Sequence, residues 1–259
     1  MNASCKRIVL GIANVMSWPW RLLPSGLREG ILTGLFVLDS RGEPRGGLAQ
    51  LLRLQDRLDW VTNERAVAMG DGVHPKHRLT RYHDFFVEHI PAGARVLDIG
   101  CGVGAVARSI ATCVKGSEVV GLDRDDGRLA EARAADNPEN LSFVKTDVCD
   151  SLPDGPWQAV VLSNVLEHIE DRVGFLKTIL QNAKPGRVLI RVPHFERDWK
   201  MPMRKELGLN YFSDAEHFIE HRLDELNAEL AEAGLRSMVT QTLWGEIWMC
   251  CERTESDGQ

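Results

Sequence analysis

The sequence predicts an α/β protein: a seven-stranded, mostly parallel sheet with an antiparallel last strand, helices on both faces, and a helical extension at the N-terminus. Three observations predict it. From Arg95 onward, short β-branched apolar runs alternate with segments of helical period, as in a parallel sheet covered on both faces. The first of these runs, "RVLDI", opens directly into the glycines of "GCGVG" and then into a helix. The last two runs are separated only by Thr242 and Leu243, too short a link for a parallel crossover, so they must pair antiparallel.

The strands are expected at Arg95–Ile99, Glu118–Leu122, Leu141–Lys145, Ala159–Leu162, Arg187–Val192, Leu235–Gln241 and Trp244–Cys251. The intervening helices are Ala105–Cys113, Asp126–Ala135, Glu170–Asn182 and Leu223–Ala233. In the third, Ile169, Val173, Leu176 and Leu180 share a face, and "KPG" at Lys184–Gly186 closes it. In the last, Leu223, Leu226 and Leu230 point inward, Glu225, Glu229 and Glu232 outward, and Gly234 ends it. Upstream, a helix is expected from Leu48 to Met69 and another from Arg78 to just before Pro91. "SRGEPRGG" at Ser40–Gly47 reads as a flexible joint. The chain therefore divides into an extension over residues 1–77, a main domain over 78–252 and a frayed tail over 253–259.

Composition narrows the class. At 259 residues one large α/β domain with an extension is the natural size. A formal charge of −6 argues against a broad nucleic-acid surface. None of the six cysteines forms a C-x-x-C pair, so a zinc ribbon and a disulfide framework are both disfavoured, and reduced thiols point to the cytoplasm. In the extension, "IVLGIANVMSWPW" is interrupted by Pro19 and Arg21 before it reaches the length of a membrane span. Trp18 and Trp20 beside Lys6, Arg7, Arg21 and Arg28 suit a membrane surface over residues 6–38, at its inner face. Packing on the main domain, or on a second subunit to give a homodimer, is the competing explanation and the one the sequence favours.

Acidic residues end successive strands. Asp98 lies two residues before the first glycine, where a buried charge demands a cationic partner. Asp123 ends the second strand, where an acid takes the ribose hydroxyls of an adenosine, and Asp147 ends the third on the same rim, with a turn cap as its alternative role. The glycines alone fit either a dinucleotide or another adenosyl ligand, since G-x-G-x-G and G-x-G-x-x-A overlap at Gly100–Ala105.

The antiparallel end is not how a dehydrogenase completes its sheet. "VLDIGCGVGAVA", "VVGLDRD", "VKTDV", "AVVLSNVLEHIED" and "KPGRVLIRVP", in this order and spacing over Leu79–Glu252, resemble the class I S-adenosylmethionine-dependent methyltransferases, of the UbiG/UbiE-like small-molecule or glycan type. The resemblance implies S-adenosylmethionine as cofactor and S-adenosylhomocysteine as product. It places Asp98 near the methionine amino group, Gly100, Cys101 and Gly102 against the cofactor, and Asp123 with Arg124 at the ribose. Asp147 and Val148 would frame the adenine, and Asn164 would face the methionine end. Arg81 and Tyr82 lie where the family's leading helix closes over the cofactor.

Methyl transfer to a hydroxyl benefits from a base, and His168, with Glu167 beside it, follows the fourth strand at the right place. Capping of the next helix is their alternative role. Some family members bind magnesium or a similar ion through a Glu-Glu-His set here and a later histidine. Glu167, His168, His217 and His221 match that set, but Asn164 stands where those enzymes have the first glutamate, so metal-independent catalysis is expected and no metal ligand is assigned. The insertion at 193–214 lies where the family builds its acceptor pocket. His194, Trp199 and Tyr211, with Arg204 and Lys205 and the later His217, are candidates to touch an acceptor, or simply lid residues.

The activity expected is methyl transfer to an oxygen of a small molecule or glycan, a lipid-linked sugar if the extension binds a membrane. An RNA methyltransferase is the runner-up within enzymes, although no N-P-P-Y signature follows the fourth strand. A catalytically silent cofactor-binding subunit that recruits a partner is the competing class.

Overall fold

The computed structural model describes residues 3–148, 151–214 and 216–254, with side chains of the first helix described from residue 11 onward apart from Asn14. The expected tail lies mostly outside these residues. The chain divides into two compact units, residues 1–65 and 66–259.

The first unit is helical: α1 (Ala3–Arg21), α2 (Ser25–Asp39) and most of α3 (Pro44–Met69). Pro19 sits in the last turns of α1, where its missing N–H removes one helical bond, and Leu22 and Leu23 close the end through shorter bonds to Pro19 and Trp20. Pro24 then starts α2, with the amides of Leu27 and Arg28 donating to its carbonyl. Helix α2 buries none of its residues, and Trp18, Leu22, Leu27, Leu35 and Leu38 are all exposed. The Ser40–Gly47 segment, expected as a flexible joint, is a short, capped turn. The Glu43 carboxylate accepts from the amides of Arg45 (2.8 Å) and Gly46 (2.6 Å), and a Cβ on Gly47 would lie 2.1 Å from the Ser40 carbonyl oxygen. Glycine is needed there for close backbone approach rather than for flexibility.

The second unit carries the sheet. Two short helices, α4 (Lys76–Thr80) and α5 (Tyr82–His89), precede β1 (Arg95–Ile99). The continuous helix expected from Arg78 is broken at Arg81, whose φ of 54° lies in the left-handed region. There follow α6 (Ala105–Cys113), β2 (Glu118–Asp123), α7 (Asp126–Ala134), β3 (Leu141–Lys145), β4 (Ala159–Ser163), α8 (Arg172–Asn182), β5 (Arg187–Pro193), α9 (Lys200–Glu206), α10 (Leu223–Ala233), β6 (Leu235–Leu243) and β7 (Glu246–Arg253). The sheet order is β3-β2-β1-β4-β5-β7-β6, with β7 inserted antiparallel between β5 and β6. The closing turn is Trp244–Gly245, both at positive φ, so Trp244 belongs to the turn and not to the strand. Two consecutive left-handed residues match the twist of the paired strands, which the expected Thr242–Leu243 link would not.

Each central strand feeds both faces. In β4, Val160 and Leu162 join one core cluster with Leu97, Ile99, Leu176 and Leu226, while Ala159 and Val161 join the other with Phe86, Val96, Ile110 and Leu189. That is why the strand reads as an unbroken apolar run. The order reverses between β1 and β4, so connections leave these neighbours in opposite directions and their carboxyl ends splay into a crevice.

Truncating a fully buried side chain at this seam tests the packing. Leu162→Ala should lower unfolding free energy by about 2–5 kcal/mol, read as a lower urea midpoint at unchanged slope; a loss under about 0.5 kcal/mol, the size of a surface change, would contradict the two-faced core.

Candidate active site

The crevice begins in the backbone. After β1 the chain turns through Gly100, Gly102 and Gly104 at φ 69°, 55° and 77°. A Cβ at Gly100 would lie 2.8 Å from Val165 and one at Gly104 2.5 Å from Phe143, whereas nothing stands within 4 Å of a Cβ at Gly102. Two glycines therefore satisfy packing, and the third leaves open space on the crevice side. The turn is tied to the next strand: Cys101 N–H donates to the Leu122 carbonyl (2.9 Å) and Gly102 N–H to Asp123 Oδ2 (2.8 Å). The other Asp123 oxygen accepts from Asp125 N–H (2.9 Å), so this carboxylate braces the turn while it lines the cavity.

Two connected cavities share Gly100, Ser163, Asn164 and Arg128. The smaller, about 330 Å³, is lined by Tyr82, Asp98, Cys101, Gly102 and Arg191 among others. Asp98 is buried, its Oδ2 has no hydrogen-bond partner, and burial pushes its carboxyl up to about 7, with nearby Asp123 adding to the rise. Tyr82 is buried and its hydroxyl meets His77 Nδ1 at 2.7 Å. The larger cavity, about 470 Å³, is lined by Asp123, Arg124, Asp147, Val148, His168, His217, Asp214 and Glu216. Asn164 opens into both from a left-handed backbone at φ 58°.

Beyond Asn164, the 3-10 turn Leu166–His168 presents the acid–histidine pair. Glu167 is fully buried, both its carboxyl oxygens lack a hydrogen-bond partner, and burial pushes its acid up to about 8. His168 is half-buried. Its Nδ1 faces the Glu216 carbonyl at 3.3 Å, and burial followed by the neighbouring His217 lowers its pKa. A carbonyl only accepts, so Nδ1 carries the proton and Nε2 keeps its lone pair. The His217 ring stands 4.6 Å from that of His168, and its Nδ1 meets Glu220 Oε1 at 3.0 Å. Glu220 is anchored in turn by Ser213 and by Arg197.

Several expected residues fall elsewhere. Arg81 has a side chain 74% exposed and paired with Asp84, and it lines neither cavity. His194 is half-buried beside the hairpin turn, where its amide donates to the Gly245 carbonyl (2.9 Å), and it lines neither cavity. Trp199 is exposed, and Tyr211 lines a separate cleft with Phe195, Lys205 and Phe218. Of the acceptor candidates, only His217 reaches the crevice. Conversely, Arg128, Ser163, Arg191, Asp214 and Glu216 line it unanticipated. Ser163 was open to notice at a strand's carboxyl end; for Arg191, set within a run that reads as core strand, no sequence signal marks the wall.

A methyltransferase-domain family model matches residues 73–241. The chain is 28% identical over 213 residues to the 2-methyl-6-phytyl-1,4-hydroquinone methyltransferase of Synechocystis, covering 72% of this chain and 67% of that protein. It is 33% identical over 137 residues to the sterol 24-C-methyltransferase of Aspergillus fumigatus and 31% identical over 100 residues to the ubiquinone biosynthesis O-methyltransferase of Acinetobacter baumannii. These matches cover 50% and 37% of the chain, but only 36% and 41% of those two proteins. Among solved structures, magnesium protoporphyrin IX methyltransferase from Synechocystis with bound S-adenosylhomocysteine superposes at a TM-score of 0.52 with 19% identity, over 67% of this chain and 82% of that one. A Haloferax volcanii methyltransferase in complex with the Trm112 activator gives 0.56 and 17%, over 75% and 96%.

Fold and crevice together define a class I S-adenosylmethionine-dependent methyltransferase. The chain belongs to the methyltransferase-domain family, and its cofactor is S-adenosylmethionine. The residues present fit that ligand: a cationic, adenosyl-bearing molecule suits the orphaned oxygen of Asp98 and the open side of Gly102.

The buried histidines give the unit a pH signature. Burial pushes His221, fully enclosed with neither ring nitrogen bonded among the described residues, down to about 4, and His83 likewise. Between pH 6.5 and about 4 these two imidazoles bind protons in the unfolded chain that the folded chain refuses, so their own contribution to stability falls as pH drops through that window. Asp98 and Glu167, raised by burial, act in the opposite direction, so the signature is read as a difference: from pH 7 to pH 4.5 the denaturation midpoint of wild type should fall relative to that of His221→Asn. An equal slope in the variant would remove His221 from the account.

Proposed function

We propose that this chain transfers the methyl group of S-adenosylmethionine to an oxygen of a small-molecule or glycan acceptor, with His168 as general base. The observation that carries the reading is the place and tautomer of His168. It stands on the wall shared by Gly100, Asp123 and Asn164 on one side and Asp214, Glu216 and His217 on the other, with Nε2 unprotonated. Bound S-adenosylmethionine supplies an already activated methyl group, so the chain's task is alignment, exclusion of water and removal of one proton. Asp98 gives up its own proton to receive a cation, Asp123 and Asp147 face the adenosyl side, and His168 Nε2 takes the hydroxyl proton. His217, held through Nδ1 by Glu220, fixes the second wall of the acceptor space.

A second reading has its own support. Glu167, His168 and His217 each offer one ligand atom, and these atoms lie within 4.8 Å of one another. The unpartnered oxygens of Glu167 suit a cation. A set of two imidazoles and one carboxylate fits zinc, manganese or iron better than magnesium. An ion held there would supply Lewis-acid stabilisation of an acceptor oxygen.

One experiment addresses both. Methyl-labelled S-adenosylmethionine is incubated with the chain and fractionated small-molecule, glycan and lipid extracts. Label should enter a base-stable ether in the extract fraction. With that acceptor, His168→Ala should lower kcat about 10²–10⁴-fold while cofactor affinity changes less than about twofold. Loss of activity on chelation, restored by zinc or manganese, would replace the base reading with the metal one. Label on carbon or on RNA would sink O-methylation.

The acceptor reading extends to a membrane surface. Its supports are the exposed apolar residues of α1 and α2 beside Arg21 and Arg28, and relatives named for phytyl hydroquinone, ubiquinone and sterol substrates, all rich in hydrocarbon. Among the described residues no helix is long and apolar enough to cross a membrane. The full chain should float with anionic liposomes, weakly with neutral ones, and Trp18→Ser with Leu35→Ser should reduce flotation several-fold. A chain that ignores both liposomes contradicts the surface reading.

A further inference from the structure

Among the described residues, Arg191 is the basic side chain that is both buried and part of the crevice wall; Arg124 and Arg128, the other arginines there, are exposed. It extends from the carboxyl end of β5 opposite Ser163, and Asp98 pairs with Val161 two residues earlier in β4. Side chains alternate along strands, so Asp98, Ser163 and Arg191 stand on the same face of the sheet. All three line the smaller cavity with Tyr82.

The guanidinium is held in one orientation. Its Nε donates to Glu246 Oε2 (2.7 Å), Nη2 donates to Glu246 Oε1, and Nη1 reaches Ser163 Oγ at 3.3 Å. Glu246 is fixed further by Trp248 Nε1 (2.9 Å), and the Tyr82 ring lies 3.8 Å from the Arg191 carbon. These contacts use three of the five N–H groups and leave one on each terminal nitrogen. Glu246 cancels the net charge of the pair, so what Arg191 offers the cavity is a rigid pair of directed donors.

The cofactor's amino-acid end is a zwitterion, an ammonium and a carboxylate on one carbon. Asp98 provides an unpartnered acceptor on this face, and Arg191 provides unpartnered donors. We propose that Arg191 binds the methionine carboxylate of S-adenosylmethionine, so that Asp98 and Arg191 together read the zwitterion. Arg81, expected with Tyr82 where the leading helix closes over the cofactor, is exposed and outside the cavity. Tyr82 and Glu246 act as positioning residues: one covers the face of the guanidinium, the other fixes its edge. The inference rests on S-adenosylmethionine as the cofactor and is independent of the acceptor and of His168.

Calorimetric titration of the full chain with three ligands tests it: S-adenosylhomocysteine, its decarboxylated analogue, and 5′-methylthioadenosine, which lacks the whole amino-acid end. Wild type should prefer S-adenosylhomocysteine over the decarboxylated analogue by about 10–100-fold, the worth of a charge-assisted hydrogen-bonded pair. Arg191→Gln should reduce that preference to about threefold or less while methylthioadenosine affinity stays within about twofold. A variant that keeps the full preference would overturn the proposal. Because Arg191→Gln strands Glu246 and can disturb the site, a wild-type measurement stands beside it. The Arg191 side-chain N–H resonances should move on adding S-adenosylhomocysteine and stay nearly still with the decarboxylated analogue, and equal shifts with both would also overturn it. Failure of wild type to bind any adenosyl ligand would instead overturn the cofactor assignment, and this inference with it.

Discussion

The turn after β1 is the constraint on which the crevice depends. Gly100, Gly102 and Gly104 all lie in the left-handed region, and the turn they form is bolted to β2 by the bond from Gly102 N–H to Asp123. The carboxylate that lines the larger cavity therefore also fixes the backbone of the turn beside it. Packing closes the other side, since Val165 and Phe143 occupy the space that a Cβ at Gly100 or Gly104 would need. The shape of this wall is thus set by backbone geometry, with open space on the side of Gly102.

Charge is distributed around that turn in two contrasting ways. Asp98 and Glu167 are buried with unpartnered oxygens, and burial raises both acids so that each holds its proton near neutral pH. Of the two, Asp98 lines the smaller cavity, whereas Glu167 lies behind His168 and lines neither cavity. Arg191 and Glu220 are buried too, but each is paired and hydrogen-bonded with a half-buried partner, Glu246 and Arg197 respectively. The ion pairs hold walls in position, and Arg191, though paired, still lines the smaller cavity together with Asp98 and Ser163.

Much of this was legible in the chain itself. Five parallel strands, the antiparallel end and the four helices between and after them appear within a residue or two of their expected limits, because buried strands write their burial as unbroken apolar runs. The discrepancies are local backbone events. Arg81 breaks a helix whose hydrophobic period continues through it, and Trp244 with Gly245 makes a hairpin turn that apolar patterning assigned to the strand. Neither leaves a trace in side-chain periodicity, since a non-glycine residue at positive φ is selected by its surroundings.

What the sequence by itself determined was the class of fold, the glycine turn after β1 and the order of acidic residues at the strand ends beside it, because these depend on local pattern and on positions at strand ends. What only the tertiary structure decided was which side chains converge. Arg191 and Glu246 lie 55 positions apart and meet because β7 inserts antiparallel beside β5. His168 and His217 come together because the segment after the insertion folds back, with Phe218 N–H donating to the Glu167 carbonyl. His194, Trp199 and Tyr211 share that stretch of sequence and point elsewhere. Long-range pairing sets those distances, and a linear chain carries no record of them until the sheet is assembled.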